Sequence, residues 1–299
     1  MAESLRQRLD FLLRTQNADG GWGYFPGKHS WLEPTAYAML ALDKRADAAV
    51  LDRAWRLVES WQLADGSWRP GADVAGPGTW VTALGVHLCC ARNCFDEHFT
   101  RGVAWLMGTQ GRECNWLARA VGLIQGISPG GPDNDVSHRG WPWLRGTTSW
   151  VEPTAQAIVA LRMAAPHYPG VAERVAYRVS EAEEQLLSRR CRDGGWNYGS
   201  RKALGIDLPS YPETTALALL GLQARSEALR EEIAHARELL PETHSRLARA
   251  WLTVALQTHG EQPRAREGEP DADILLAALE AIGHPDGNRS AFRVARGRA

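Results

Sequence analysis

Two helical patterns of apolar residues alternate along the chain. In the first, apolar side chains recur at helical spacing: Leu5, Leu9, Leu12 and Leu13; then Leu51, Trp55, Val58 and Trp61; then Val175, Val179, Leu186 and Leu187. Such spacing lays one apolar stripe along a helix and leaves the opposite face to water. In the second, residues 37–42, 156–161 and 217–222 are rich in alanine and leucine and nearly free of charge. A helix apolar on every side is buried. Charge returns in the first kind, as at Glu181-Ala182-Glu183-Glu184, which reads as a solvated face. No run shows the period-two alternation of a half-buried strand. Exposed and buried helices alternating in pairs predict a double-layered ring, an all-α, α/α toroid of roughly 11–12 helices. The domain is expected over residues 1–288, with residues 289–299 a basic, frayed tail and residues 261–270 a polar linker.

The junctions between the two kinds of helix also repeat. Asp19-Gly20-Gly21-Trp22, Asp65-Gly66-Ser67-Trp68 and Asp193-Gly194-Gly195-Trp196 follow the amphipathic helices, and Arg139-Gly140-Trp141-Pro142-Trp143 is a worn copy. Left-handed glycine is expected to end the helix at each Asp-Gly tip. The tip tryptophans are expected to cover helix ends, with Gln16 and Gln62 bonding the freed backbone groups. A second element opens the buried helices. It reads Ser30-Trp31-Leu32-Glu33-Pro34-Thr35-Ala36, Ser149-Trp150-Val151-Glu152-Pro153-Thr154-Ala155 and Ser210-Tyr211-Pro212-Glu213-Thr214-Thr215-Ala216. Trp22 to Glu33 and Trp141 to Glu152 are both 11 residues apart. Thr79-Trp80-Val81-Thr82-Ala83 reads as a variant without the carboxylate, Trp80 standing two residues before Thr82 as Trp31, Trp150 and Tyr211 stand before their glutamates.

These residues carry a family likeness. Gln16 with Asp19-Gly20-Gly21-Trp22, and Gln62 with Asp65-Gly66-Ser67-Trp68, resemble the QW repeat of squalene–hopene cyclases, which are class II terpene cyclases, and of the related prenyltransferase β-subunits. The likeness covers most of residues 3–285. It implies a toroid that binds an isoprenoid or other lipid-like molecule in its ring, and cyclisation started by protonation. In the resembled cyclases an Asp-x-Asp-Asp motif opens an inner helix just before Thr-Ala, and its middle Asp is the acid. Glu33, Glu152 and Glu213 fall at that position. No copy has the full motif; Asp271-Ala272-Asp273-Ile274 keeps two acids, and Asp133-Asn134-Asp135-Val136 is a partial match in a loop. The candidate acids are therefore Glu152, Glu213, Glu33, Asp273 and Asp271, and Trp31, Trp80, Trp150, Tyr211, His29 and His138 are candidates to line the site. The same glutamates have a plainer reading: Ser-x-x-Glu ahead of a helix is a capping box, and proline suits a first helical turn. The resembled enzymes pair the toroid with a second helical domain or a helical subunit. This implies a helical partner or a homodimer, and a partner-dependent binding module is the alternative to a cyclase.

Composition narrows the remaining classes. Net charge is −1, without the basic excess of a nucleic-acid binder. No run approaches the roughly 20 apolar residues of a membrane span. The polar N-terminus lacks a signal-peptide pattern, and five cysteines suit a reducing compartment. The chain therefore reads as cytoplasmic, with peripheral membrane contact as the further option. Neither a metal nor a cofactor is expected: the Asp-x-Cys zinc set and Asp-rich magnesium motifs are missing, and Cys89 and Cys90 sit in an apolar helix where cysteine fills core. Tryptophan, at 13 against 5 Phe and 6 Tyr, exceeds what a core needs. It suits helix covering, lipid stacking or sugar stacking, so a carbohydrate-active α/α barrel with paired carboxylates is the last alternative.

Overall fold

The structure, a computed structural model, describes residues 2–114, 138–264, 268–270 and 272–294. Eleven α-helices occur among them: α1 (Glu3–Arg14), α2 (Leu32–Leu42), α3 (Ala48–Ser60), α4 (Thr79–Arg92), α5 (Glu97–Met107), α6 (Val151–Ala164), α7 (Ala172–Ser188), α8 (Pro212–Gly221), α9 (Arg230–Glu242), α10 (Arg246–Thr258) and α11 (Ile274–Ile282). A two-residue hairpin, Lys202–Ala203 with Ile206–Asp207, precedes α8. Helices α2, α4, α6, α8, α10 and α11 pack in that order, and α11 returns to α2, so they close a ring. Helices α1, α3, α5, α7 and α9 pack outside it. This is the α/α toroid that the two helix patterns predict. The inner helices α2, α6 and α8 are buried over nearly every residue, whereas α3 buries only Leu51, Ala54, Trp55 and Val58.

The Gly-Trp tips join the layers. Trp22, Trp68, Trp141 and Trp196 are fully buried. Each indole Nε1 donates to a carbonyl near the end of an outer helix: Leu12 at 2.7 Å, Val58 at 2.9 Å, Leu106 at 2.9 Å and Leu186 at 2.7 Å. Each tryptophan backbone N–H donates to a threonine Oγ1 of an inner helix: Thr35 at 2.9 Å, Thr82 at 3.0 Å, Thr154 at 2.8 Å and Thr215 at 3.0 Å. Gln16 Nε2 donates to Gly20 O and Val50 O, and Gln62 Nε2 donates to Gly66 O and His98 O, tying each tip to the next outer helix. Because the indole caps the helix end, glycine does not: α1, α3 and α7 stop at Arg14, Ser60 and Ser188, six residues before Gly20, Gly66 and Gly194. Those glycines instead turn the tip, at φ of +96°, +92° and +95°. At Gly66 a Cβ would lie 2.5 Å from the carbonyl oxygen of Arg101.

Two further expectations are corrected. The 181–184 stretch is not a solvated face. Glu183 is buried, and Nε of Arg162 and of Arg225 donate to it at 2.9 and 3.0 Å. Paired in this way, a carboxylate tolerates burial. Residues 289–294, read as the start of a basic tail, pack against the ring with Ala291, Phe292 and Val294 buried. Removal of these apolar side chains from water outweighs the charge around them.

The tip bonds are testable. Thr154→Val keeps the shape but leaves the buried N–H of Trp141 without its acceptor. We expect a loss of about 1–3 kcal/mol in unfolding free energy. Urea titration should show a lower midpoint with an unchanged slope.

Candidate active site

All the repeat-bearing inner helices start at one pole, and a chain of backbone bonds sets their level. Leu32 N donates to Pro70 O, Thr79 N to Trp143 O, Val151 N to Tyr198 O and Ile274 N to Tyr24 O, at 2.7, 3.0, 2.9 and 2.9 Å. In every case the acceptor lies two residues beyond the tip tryptophan of a neighbouring repeat. Helix α8 starts with Pro212, which has no N–H to give. This register brings the second residue of each helix to one tier: Glu33, Trp80, Glu152, Glu213 and Leu275. It also corrects the alignment of α4. Thr82 matches Thr35, since both accept from a tip N–H. Trp80 therefore takes the glutamate's position rather than that of Trp31.

The capping-box reading fails. The N-caps of α2, α6 and α8 are Trp31, Trp150 and Tyr211, in extended conformation and with no side-chain cap bond. The serines serve the tips. Ser30 Oγ donates to Asp19 at 2.8 Å, and Ser210 N donates to Asp193 at 2.8 Å. In the worn copy, His138 stands where the tip aspartate should be, and Arg139 where its first glycine should be. Buried Glu113 replaces that aspartate, accepting from Ser149 N at 3.0 Å and from its hydroxyl. Freed from capping, the glutamates face one another electrostatically. Burial first, then the charges of Glu33 and Glu213, push the Glu152 carboxyl up to about 8. Burial and the charges of Glu213 and Asp273 also raise Glu33, against the hydroxyl of Tyr24, which donates to it at 2.5 Å and pulls it down. Burial raises Glu213. At neutral pH the tier therefore holds a protonated Glu152 next to further carboxyls, the pattern of an acid whose environment keeps its proton.

One helical turn further in lie Tyr37, Leu84, Gln156 and Leu217. Gln156 Nε2 donates to Glu152 at 3.3 Å. The hydroxyl of Tyr37 and Oε1 of Gln156 are buried with no partner. Between this tier and a floor of His87, Trp251 and Phe292 the cavity measures about 10 Å³, room for one water. Aromatic side chains gather around the acid tier and its rim. Trp80 and Trp143 meet edge to face at 5.2 Å, Tyr24 and Trp31 lie 6.3 Å apart, and Tyr198 and Tyr211 lie 5.3 Å apart. Trp150 and Tyr211, 37% and 44% exposed, belong to the rim and not to the buried tier.

The structure thus brings Glu33, Glu152, Glu213 and Trp80 together and puts Trp31, Trp150 and Tyr211 around them. Asp273 caps α11, accepting from Leu276 N at 3.0 Å, and its charge reaches Glu33 and Tyr24. Asp271, Asp133 and Asp135 lie outside the described residues. The two histidines do not join the acids. His29 is exposed on its loop, and His138 belongs with the outer layer: its carbonyl accepts from Cys114, and adjacent Arg139 pairs with Glu181 of α7. Sequence reasoning missed Tyr24, Tyr37, Gln156, Trp143 and Tyr198. Position was the signal: Tyr24, Trp143 and Tyr198 each follow a tip tryptophan by two residues, and Tyr37 and Gln156 each follow a tier glutamate by four. Among the described residues no cluster of three or more metal-ligating side chains occurs, and burial pushes the Cys90 thiol up to about 12.

No family model matches the chain. A stretch of 73 residues is 41% identical to drimenyl diphosphate synthase of Streptantibioticus cattleyicolor, covering 24% of this chain and 14% of that protein. A second drimenyl diphosphate synthase, from Streptomyces showdoensis, is 39% identical over 79 residues, 25% of this chain and 15% of that one. Among solved structures, a type II terpene cyclase from Scytonema in complex with its substrate geranylgeranyl dihydroxybenzoate superposes with a TM-score of 0.59 at 16% identity, covering 97% of this chain and 96% of that one. A family 8 endoglucanase from Klebsiella pneumoniae superposes with a TM-score of 0.61 at 15% identity, covering 93% and 97%. The fold is an α/α toroid, the architecture of this type II terpene cyclase and of this family 8 glycosyl hydrolase.

Stability should report the buried acid. Glu152 titrates at about 8 in the fold against an ordinary 4.5, so between those values the folded state holds the extra proton. Its contribution is fully present below about 4.5 and is lost as the pH rises through 8. Each pH unit in that window is worth at most about 1.4 kcal/mol. Urea unfolding across the window should show stability falling with pH in the wild type and a shallower fall in Glu152→Gln.

Proposed function

We propose that this chain is a class II terpene cyclase-like enzyme that takes an isoprenoid through the aromatic mouth and starts its cyclisation by protonating an alkene. The observation that carries the reading is the acid tier: three inner-helix glutamates at one level, with Glu152 holding its proton at neutral pH. Glu152 is the acid. Its O–H bond breaks, the proton bonds to one alkene carbon through the π pair, and the O–H pair stays on the carboxylate. The resulting tertiary cation is stabilised by the faces of Trp80 and Trp31. Internal alkenes then attack in turn, and water takes a proton from the carbon next to the last cation, whose C–H pair forms the final double bond. Tyr24, donating to Glu33, favours Glu33 as the ionised member, whose charge opposes the developing cation. Asp273 adds charge while capping its helix. The Scytonema cyclase, solved with geranylgeranyl dihydroxybenzoate bound, supports an isoprenoid as the class of substrate such a toroid takes.

A second reading, a binding module that acts with a helical partner subunit or a second copy, is favoured by the rim. Phe25, Leu144, Leu204 and Ile206 are exposed on loops at the mouth, the surface such a partner or a membrane would cover. No helix among the described residues is long and apolar enough to cross a membrane. We place the protein in the cytoplasm, with peripheral membrane contact through that rim.

The test is turnover of farnesyl and geranylgeranyl diphosphates and squalene by the full chain, read by gas chromatography–mass spectrometry. Glu152→Gln should lower turnover by about 10²–10⁴-fold, the usual contribution of a positioned acid, with ligand affinity retained. Full turnover in each of the Gln variants of Glu33, Glu152 and Glu213 would overturn the cyclase reading. Activity seen only with an added helical protein would favour the module, and hydrolysis of soluble β-glucan would favour the glycosidase alternative.

A further inference from the structure

Beneath the acid tier the ring is filled, and part of what fills it does not come from the ring helices. Phe292 meets His87 at 5.3 Å, Trp251 at 5.7 Å and Tyr37 at 6.1 Å, rings carried by α4, α10 and α2. It is 6% exposed. The segment that delivers it, residues 288–294, is anchored at three places on the inner layer. Asn288 Nδ2 donates to Leu40 O of α2 at 2.8 Å. The His87 imidazole bonds Ala291 O at 2.5 Å. Gln223, just past α8, donates to Phe292 O at 2.8 Å and accepts from Val294 N at 3.3 Å. The backbone of this short segment is thus held on both sides of one aromatic side chain, which stands between three inner helices.

We propose that Phe292 is the depth stop of the central chamber, the residue that sets how far an apolar chain descends from the mouth. Deeper burial of hydrocarbon is favourable at every step, so an apolar chain in an apolar ring halts only where the ring is full. Here it narrows at Tyr37, Leu84, Gln156 and Leu217, one turn below Glu33, Glu152 and Glu213, and Phe292 closes the space of about 10 Å³ beneath them. The end of an entering chain therefore stops near the carboxyls, where a proton donor needs it. Removing the ring of Phe292 opens the space under Tyr37 and lets a chain longer by one isoprene unit seat with its end below the acids. The identity of the chain as an isoprenoid rests on the cyclase reading; the filling of the axis does not.

The experiment uses the full chain as wild type, Phe292→Ala and the milder Phe292→Leu, each checked for cooperative thermal unfolding. Crystals are pressurised with xenon, which enters dry apolar voids. Geraniol, farnesol and geranylgeraniol, each one isoprene unit longer than the last, are titrated by quenching of tryptophan fluorescence. We expect xenon beneath Tyr37 in Phe292→Ala and not in the wild type. The ratio of affinities for successive alcohols should shift toward the longer one by about tenfold, which corresponds to 1.4 kcal/mol, with Phe292→Leu between. Equal xenon occupancy in wild type and variant, or an unchanged length preference in two folded variants, overturns the proposal. If the wild type binds no alcohol, the isoprenoid reading of the site fails, and xenon found only in the variant still supports Phe292 as the stop.

Discussion

The whole arrangement depends on what happens to the backbone groups at the junctions between layers. A helix end leaves carbonyls unbonded and a tight tip leaves N–H groups unbonded, and here both are buried. One residue answers both: the tip tryptophan donates its indole N–H to the outer helix and its backbone N–H to an inner threonine. Four copies of the same pair of bonds hold four outer helix ends at fixed heights against four inner helices. A smaller apolar residue would fill the space less well and could not satisfy the carbonyl, and for a buried polar group that failure is expensive.

Once the heights are set, the acid tier follows. The second residue of five of the inner helices comes to the same level, and three of those residues are glutamates. None caps its own helix, because the N-caps are aromatic and the serines are engaged by the tips. The carboxyls then share a largely dehydrated space. Burial and mutual repulsion make full ionisation unfavourable, so Glu152 keeps its proton while Tyr24 donates to Glu33. Elsewhere the chain handles buried carboxylates in the opposite way. Glu183 lies between two arginines and Glu280 between Arg8 and Arg246, so those acids are neutralised by charge and serve the fold. The contrast between paired and unpaired buried acids is what supports the tier as the proposed chemical site. The toroid alone does not, since a cyclase and a glycosyl hydrolase share it.

Much of this was legible in the chain itself, and for physical reasons. Helix type is a local property: a charge-free helix and a striped helix announce their depth, so alternation of the two determined a double-layered ring. The Asp-Gly-Trp tips and the three Ser-aromatic-x-Glu starts are also local, and they pointed to Glu33, Glu152 and Glu213. What only the tertiary structure decided were matters of register and of partners distant in sequence. Whether a Ser-x-x-Glu is a cap depends on what else bonds the serine, here Asp19, Asp193 or Glu113. The place of Trp80 among the glutamates follows from Thr82 bonding Trp68, a match that letters alone misaligned by two residues. The burial of Glu183 needed Arg225, and that of Phe292 needed Gln223, each far along the chain. Periodicity records how one helix meets water; which groups face each other across a ring is set by the closing of the ring.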